Sequence, residues 1–242
     1  MIPLIGAINS FSRCGDVPTN DPFADDVVLH LKGDGDNGST NFIDETCETV
    51  ISGGNVEIST AESKYGGSSI YFSGANKQYL LFLNNSLTFP SDFTIEAWVN
   101  LTQYNSGTIN YKHVILVLAS NNSNVLAAFN IGGESNVLQF GQFGGVTVKG
   151  STTVSLNTWH HVAVSRKGST VNLFLDGVLD GSDSIGTAFN TISQGHTGWG
   201  DALDSGDESA RRFRGYIDSF RVTSGVARYD TNFDPETDTY LN

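Results

Sequence analysis

The chain has 242 residues, with 26 carboxylates against 13 Lys and Arg and a formal net charge of −13; this excludes the phosphate-neutralising surface on which nucleic-acid binding depends. Glycine is abundant (27), proline is scarce (5) and apolar content is 38%, which reads as strands and turns around a core and excludes disorder. No run is long and apolar enough to span a bilayer, and the length suits one undivided all-β domain.

Met1 to Pro22 holds Pro3, Gly6, Gly15, Pro18 and Pro22 and shows no sustained alternation. Ile2, Leu4, Ile5, Ile8 and Phe11 give it side chains to bury. It reads either as a frayed terminus or as an extended arm that docks on a neighbouring subunit or a larger assembly. Met1 to Ile8 lacks the basic flank and apolar length of a signal peptide.

Asp26 to Lys32 is the first strand, with Val27, Leu29 and Leu31 on one face. The loop Gly33-Asp34-Gly35-Asp36-Asn37-Gly38 follows. Oxygen ligands on a Gly-rich loop suit a hard cation such as calcium, although the EF-hand pattern is absent. An Asx-rich turn that satisfies its own backbone is the alternative. Phe42, Val50-Ile51 and Val56 to Ile58 mark short strands or edges, and Gly66 to Phe72 and Tyr79 to Leu83 come next. Phe93 to Leu101 sets Phe93, Ile95, Ala97, Val99 and Leu101 on one face and Thr94, Glu96, Trp98 and Asn100 on the other. Trp98 there needs cover from a loop or stays partly exposed.

Tyr104 to Tyr111 is a polar loop. His113 to Ala119, Val125 to Ile131, Val137 to Phe143 and Val146 to Val148 read as successive strands. Trp159 to Leu179 is a meander: Val162 and Val164 alternate with polar neighbours, Lys167-Gly168-Ser169 turns the chain, and Val171, Leu173 and Leu175 share a face. Asp176-Gly177 then makes a two-residue hairpin turn. Thr187 to Ile192 is one more short piece, and Gln194 to Ser209 is the longest loop. Arg211 to Val222 closes the domain, and Ala227 to Asn242 is an irregular tail anchored by Tyr229, Phe233 and Tyr240.

Three of these segments carry a family resemblance. Trp159 to Gly177, WHHVAVSR followed by VNLFLDG, resembles the centre of concanavalin A-like, laminin-G-like domains. Asp92 to Val99, DFTIEAWV, and Gly215 to Arg228, GYIDSFRVTSGVAR, resemble other strands of that family. The closing VARY…NFDP and the opening DPFADDVVLHLKGDGDNGSTNFID are similar to versions found in bacteriophage structural proteins, marine phages especially. The resemblance covers roughly Asp21 to Pro235. It implies a two-sheet antiparallel jelly-roll sandwich over residues 23–242, with residues 1–22 as a short extended N-terminal arm.

The function it implies is a non-enzymatic virion structural protein on the particle surface, a capsid decoration or tail-fibre subunit attached through its arm to other virion proteins. Its usual setting implies a homo-oligomer, a trimer where it is fibre-like. The competing reading is a lectin-like module that recognises a host-surface polysaccharide. Only Cys14 and Cys47 are present, and two free thiols are expected of a protein made in a reducing cytosol.

Asp218 alternates with Ile217 on the closing strand, and the jelly roll brings first and last strands together. That places Asp218 near Asp34 and Asp36 as ligands for the structural calcium that some family members hold; a hydrogen bond or an ion pair to Arg221 is the alternative. Glycan contacts are expected from loop aromatics and polar groups: Tyr104, Asn105, Tyr111, Trp199 and Asp201. The cluster Asp201, Asp204, Asp207 and Glu208 reads as a solvated loop with loose ion pairs to Arg211, Arg212 and Arg214.

Catalysis is not expected. Retaining glycoside hydrolysis needs two carboxyls about 5 Å apart, and Glu96 stands alone between Thr94 and Trp98. His160 and His161 are adjacent, so on a strand they face opposite ways and cannot share a metal. No G-x-S-x-G nucleophile elbow or Walker-type phosphate loop occurs.

Overall fold

The computed structural model describes residues 21–47, 49–75, 77–83, 87, 89, 91–105, 112–121, 124–142, 147–186, 189, 192, 194–198 and 211–235. The strands are β1 (Val27–Leu31), β2 (Val50–Gly53), β3 (Glu57–Ser59), β4 (Ser69–Phe72), β5 (Tyr79–Phe82), β6 (Phe93–Leu101), β7 (Lys112–Asn121), β8 (Asn124–Gly132), β9 (Val137–Gln142), β10 (Thr147–Thr153), β11 (Trp159–Lys167), β12 (Thr170–Leu175), β13 (Val178–Ser184), β14 (Gln194–Thr197) and β15 (Gly215–Ser224). A 3-10 turn, Ala24–Asp26, leads into β1.

These strands form two antiparallel sheets. The first has the order β13-β12-β11-β6-β15-β4-β3, with β1 also on β15; the second runs β10-β9-β8-β7-β14-β5-β2. One apolar cluster fills the space between them. It takes Ile95, Ala97 and Val99 from β6, Val162 and Val164 from β11, Ile217 and Val222 from β15, and Ile115, Phe129 and Phe140 from the facing sheet. Alternation on each strand dictates this division, because a period of two sends every second side chain to the core. The jelly-roll sandwich expected from the sequence is the architecture found.

β15 changes partner along one edge. Gly215 to Ile217 pair with β4, and Phe220 to Thr223 pair with β1. The register of β15 against β6 shifts between Asp218 and Arg221, and Ser219 sits there at φ 49°. Such a bulge bends a strand and re-aims its side chains. Asp218 lies at the fork.

Several expectations need correction. Gln194–Thr197 is a strand between β7 and β5, not the start of a loop. Its four residues QGHT have no apolar alternation. Gly195 is what fits it into the sheet, since a Cβ there would press on Leu87, Leu116 and Phe82. β10 runs on to Thr153 because Asp180 Oδ1 accepts the N–H groups of Ser151 and Thr152. Phe42 is buried in the core cluster without belonging to a strand.

Cys47 is disulfide-bonded rather than a free thiol. It is half-buried in a turn closed by its N–H to Asp44 O, with φ 73°, where another segment can reach it. The chain's other cysteine, Cys14, lies outside the described residues, as do residues 1–20 of the expected arm.

Candidate functional site

The outer face of the first sheet is built in cross-strand rows. One row reads Ala163, Glu96, Arg221, His30 across β11, β6, β15 and β1. The next reads His161, Trp98, Asp218. The third reads Trp159, Asn100, Tyr216, Tyr71, Glu57 across β11, β6, β15, β4 and β3. Each residue is the outward member of its strand's alternation, so register alone brings them side by side.

The row around Glu96 is sealed by the carboxy-terminal segment. Glu96 is fully buried and binds Arg221 at 2.9 Å, His161 Nε2 at 3.2 Å and the Tyr229 hydroxyl at 2.7 Å. Burial alone would raise its carboxyl, but Arg221, His161 and Arg228 outweigh that and hold it far below the usual carboxylate range. Arg228 makes two hydrogen bonds to Asp21, at 3.1 and 2.7 Å. Tyr229 and Phe233 pack edge-on against His161 and Phe174. Glu96 is thus a neutralised structural anion, and it has no proton to give at neutral pH.

The row of Trp159, Asn100, Tyr216 and Tyr71 is different. Trp159, Tyr216 and Tyr71 are half-buried and present ring surface. Tyr71 and Tyr216 lie 4.9 Å apart, tilted by 31°. Lys64 Nζ stands 3.8 Å over the Trp98 ring, and Tyr65 meets that ring edge-on. This is the loop cover that Trp98 required, and it leaves Trp98 only 3% exposed. Three polar atoms here are buried with no hydrogen-bond partner: Trp159 Nε1, Asn100 Oδ1 and Trp98 Nε1. Buried polar groups are normally paired, and each orphan costs about 1–3 kcal/mol. The half-buried faces of Trp159, Tyr216 and Tyr71, in line across four strands, suit a ligand that is apolar on its ring faces.

Of the expected glycan residues, the two that are described, Tyr104 and Asn105, stand elsewhere. Tyr104 packs against the core and donates its hydroxyl to Val154 O at 2.9 Å. Asn105 is buried; its Nδ2 donates to the carbonyls of Lys112 and Arg212, and its Oδ1 accepts from Arg214 Nε at 2.7 Å. The whole amide is occupied internally. Tyr111, Trp199 and Asp201 lie outside the described residues, as does the acidic cluster of Asp204, Asp207 and Glu208.

Asp34 and Asp218 do come together. Burial first, and the charge of Asp34 among the further causes, push the Asp218 carboxyl up to about 6. Asp218 Oδ2 accepts the N–H groups of Lys64 and Tyr65, at 2.8 and 3.1 Å, and Oδ1 accepts the Ser219 hydroxyl. These are donor contacts that close the loop before β4. Arg221 pairs with Glu96 instead of Asp218. Asp36 is exposed, and no group of three acidic, His or Cys side chains suited to a metal occurs among the described residues. This donor set does not fit a dedicated calcium site: only two carboxylates converge among the described residues, and Asp218 already accepts three N–H and O–H donors.

Sequence reasoning missed Trp159, Asn100, Tyr216 and Tyr71 as a group. Their outward orientation was readable from alternation. The strand order β11-β6-β15-β4 that makes them neighbours is long-range and was not.

Comparison with known proteins places this geometry. Residues 73–228 match the Laminin_G_3 family model, described as the concanavalin A-like lectin/glucanases superfamily. Domain 4 of AbnA, a GH43 extracellular arabinanase from Geobacillus stearothermophilus solved with arabinotriose, is 18% identical with a TM-score of 0.60, over 83% of this chain and 93% of that one. The binding domain of Paraclostridial mosquitocidal protein 1 is 18% identical with a TM-score of 0.61, over 87% of this chain and 50% of that one. Botulinum neurotoxin type C, whose cell entry depends upon interaction with two ganglioside molecules, is 16% identical with a TM-score of 0.59, over 87% and 49%. The chain therefore spans about half the length of the two toxin chains. No curated protein matched the sequence.

Proposed function

The chain belongs to the concanavalin A-like lectin/glucanases superfamily, and within it we propose that the protein is a carbohydrate-binding module that recognises a surface polysaccharide. The observation that carries this reading is the row of Trp159, Asn100, Tyr216 and Tyr71, flanked by three buried polar atoms without partners. A sugar ring laid on the half-buried Trp159, Tyr216 and Tyr71 covers its apolar C–H faces and leaves its hydroxyls at the polar rim. The arabinotriose complex and the ganglioside-dependent toxin have the same fold and support the ligand class.

Glycoside hydrolysis is not part of the proposal, since Glu96 is locked to Arg221 and buried. Display on a phage particle through residues 1–20 is compatible with sugar binding and would give the module its setting. Asp21, where those residues join the sandwich, is held by Arg228.

A glycan array followed by calorimetry tests the reading. Binding is expected to a defined set of polysaccharides, and Trp159→Ala or Tyr216→Ala should each weaken it about tenfold or more in protein that still unfolds cooperatively above the assay temperature. Binding that survives both substitutions would move the site off this face. A blank array with folded protein would end the carbohydrate reading.

A further inference from the structure

Outside that face, Ser155, His160 and Asp176 form a chain of two short hydrogen bonds. Ser155 Oγ lies 2.7 Å from His160 Nε2, and His160 Nδ1 lies 2.8 Å from Asp176 Oδ2. Ser155 is in the segment between β10 and β11, His160 is the second residue of β11, and Asp176 opens the turn between β12 and β13. The carboxylate cannot swing. Its Oδ1 accepts the His161 N–H at 2.8 Å, and the Asp176 N–H donates to His161 O at 2.8 Å.

The tautomer follows from the neighbours. Burial raises the Asp176 carboxyl, but the His160 ring and the His161 N–H outweigh it and hold the group below the usual range. An ionised carboxylate only accepts, so His160 Nδ1 carries the hydrogen. Nε2 then presents its lone pair, and the Ser155 hydroxyl donates to it. Hydroxyl, imidazole base and orienting carboxylate stand in the order that converts a weak serine into a nucleophile, an arrangement recognised by geometry and not by chain position.

We propose that Ser155 is a nucleophile activated by His160 and Asp176, and that this rim of the sandwich carries out acyl transfer on exposed carboxylic esters. Ser155 Oγ attacks the ester carbonyl carbon as its proton passes to His160 Nε2. The tetrahedral adduct collapses, the bond to the alcohol oxygen breaks, and the alcohol leaves with the proton returned by His160. The acyl group stays on Ser155 until water, deprotonated by the same nitrogen, attacks it; the bond to Ser155 Oγ breaks, the carboxylic acid leaves, and His160 returns the proton to Ser155 Oγ. Ester and water balance the step. Ser155 is exposed and the Asp176 side chain is 46% exposed, so the suitable substrate is an ester displayed on a polymer surface. On the carbohydrate reading above, on which this last assignment rests, that ester is an O-acyl group of a polysaccharide.

The test uses the full chain with an alkyl fluorophosphonate at neutral pH, read by intact mass and peptide mapping, alongside p-nitrophenyl acetate hydrolysis. One adduct is expected, on Ser155. S155A, an exposed change that leaves the fold alone, should abolish it. H160Q should slow it on the order of 100-fold. D176N keeps an Asn-Gly turn, which the hairpin accepts, yet should slow labelling because an amide can donate to Nδ1 and fix the wrong tautomer.

No adduct, adducts spread over exposed serines, or a rate unchanged in H160Q would overturn the proposal, whatever the glycan array shows. Labelling at Ser155 with a blank array would keep the nucleophile and remove polysaccharide as its substrate.

Discussion

Tyr229 stacks face to face on Phe233, with ring centroids 3.6 Å apart and planes 6° from parallel. The pair rests on His161 and Phe174, and it lids the buried ion network of Glu96, Arg221, Arg228 and Asp21. The segment after β15 is therefore part of the fold.

Removing the half-buried Phe233 ring should cost about 2 kcal/mol, from lost burial and lost ring contacts. Chemical denaturation of Phe233→Ala against wild type measures it. Gly177→Ala should act on the same segment by another route. Gly177 has φ 75°, and a Cβ there would collide with the Phe233 carbonyl oxygen. A Gly177→Ala protein as stable as wild type would show that the segment docks independently of that turn.

Glu96→Ala should be the most damaging single change on this face. It strips Arg221, which is 1% exposed, of its closest carboxylate. Breaking a buried pair by removing one partner costs about 3–5 kcal/mol. Glu96→Gln, which can still accept from Tyr229, should cost less. Equal stability of the two variants would mean that the network is not charged as described.

Acid should destabilise the domain through its buried histidines. Burial lowers His30 to about 3, His113 to about 3 and His196 to about 4. Unfolded, each titrates near 6.5, so below that pH the unfolded state binds more protons and folding loses about 1.4 kcal/mol per pH unit per histidine. By pH 5.5 the three together remove about 4 kcal/mol on the same scale. Asp218 works the other way. Its raised folded value means that it adds stability as pH falls from about 6 toward 3.8. The net expectation is a lower melting temperature at pH 5.5 than at 7.5. Replacing His196 with Asn should shrink the difference, and a pH-independent melting temperature would contradict it.

Calcium and chelator should leave the melting temperature within about 1 °C of each other, because Asp218 already takes three donors and a ligand stabilises only by binding the folded state. A calcium-dependent rise lost in Asp34→Asn would show that a cation sits between these two carboxylates after all.

Much of the fold was legible because its signals are local. The Phe93–Leu101 strand was read to the residue from alternation, and Asp176-Gly177 announced its hairpin. Gln194–Thr197 was not legible: a polar four-residue strand takes its identity from β7 and β5, which lie far away in sequence. The sites followed the same divide. Trp98 could be seen to need a cover, but Lys64 and Tyr65 as that cover depend on the fork in β15. Ser155 and His160 are five residues apart, yet only the β12–β13 turn supplies Asp176.

The salt bridge between Asp21 and Arg228 joins two positions 207 residues apart in the chain. The bridge works as a clasp: Asp21, ahead of the first strand, is fastened to the segment that follows the last one, and Asp21 Oδ2 also lies 3.7 Å from Arg221. Opening it at Asp21 would unfasten the two ends of the sandwich together and leave two buried guanidinium groups short of a carboxylate.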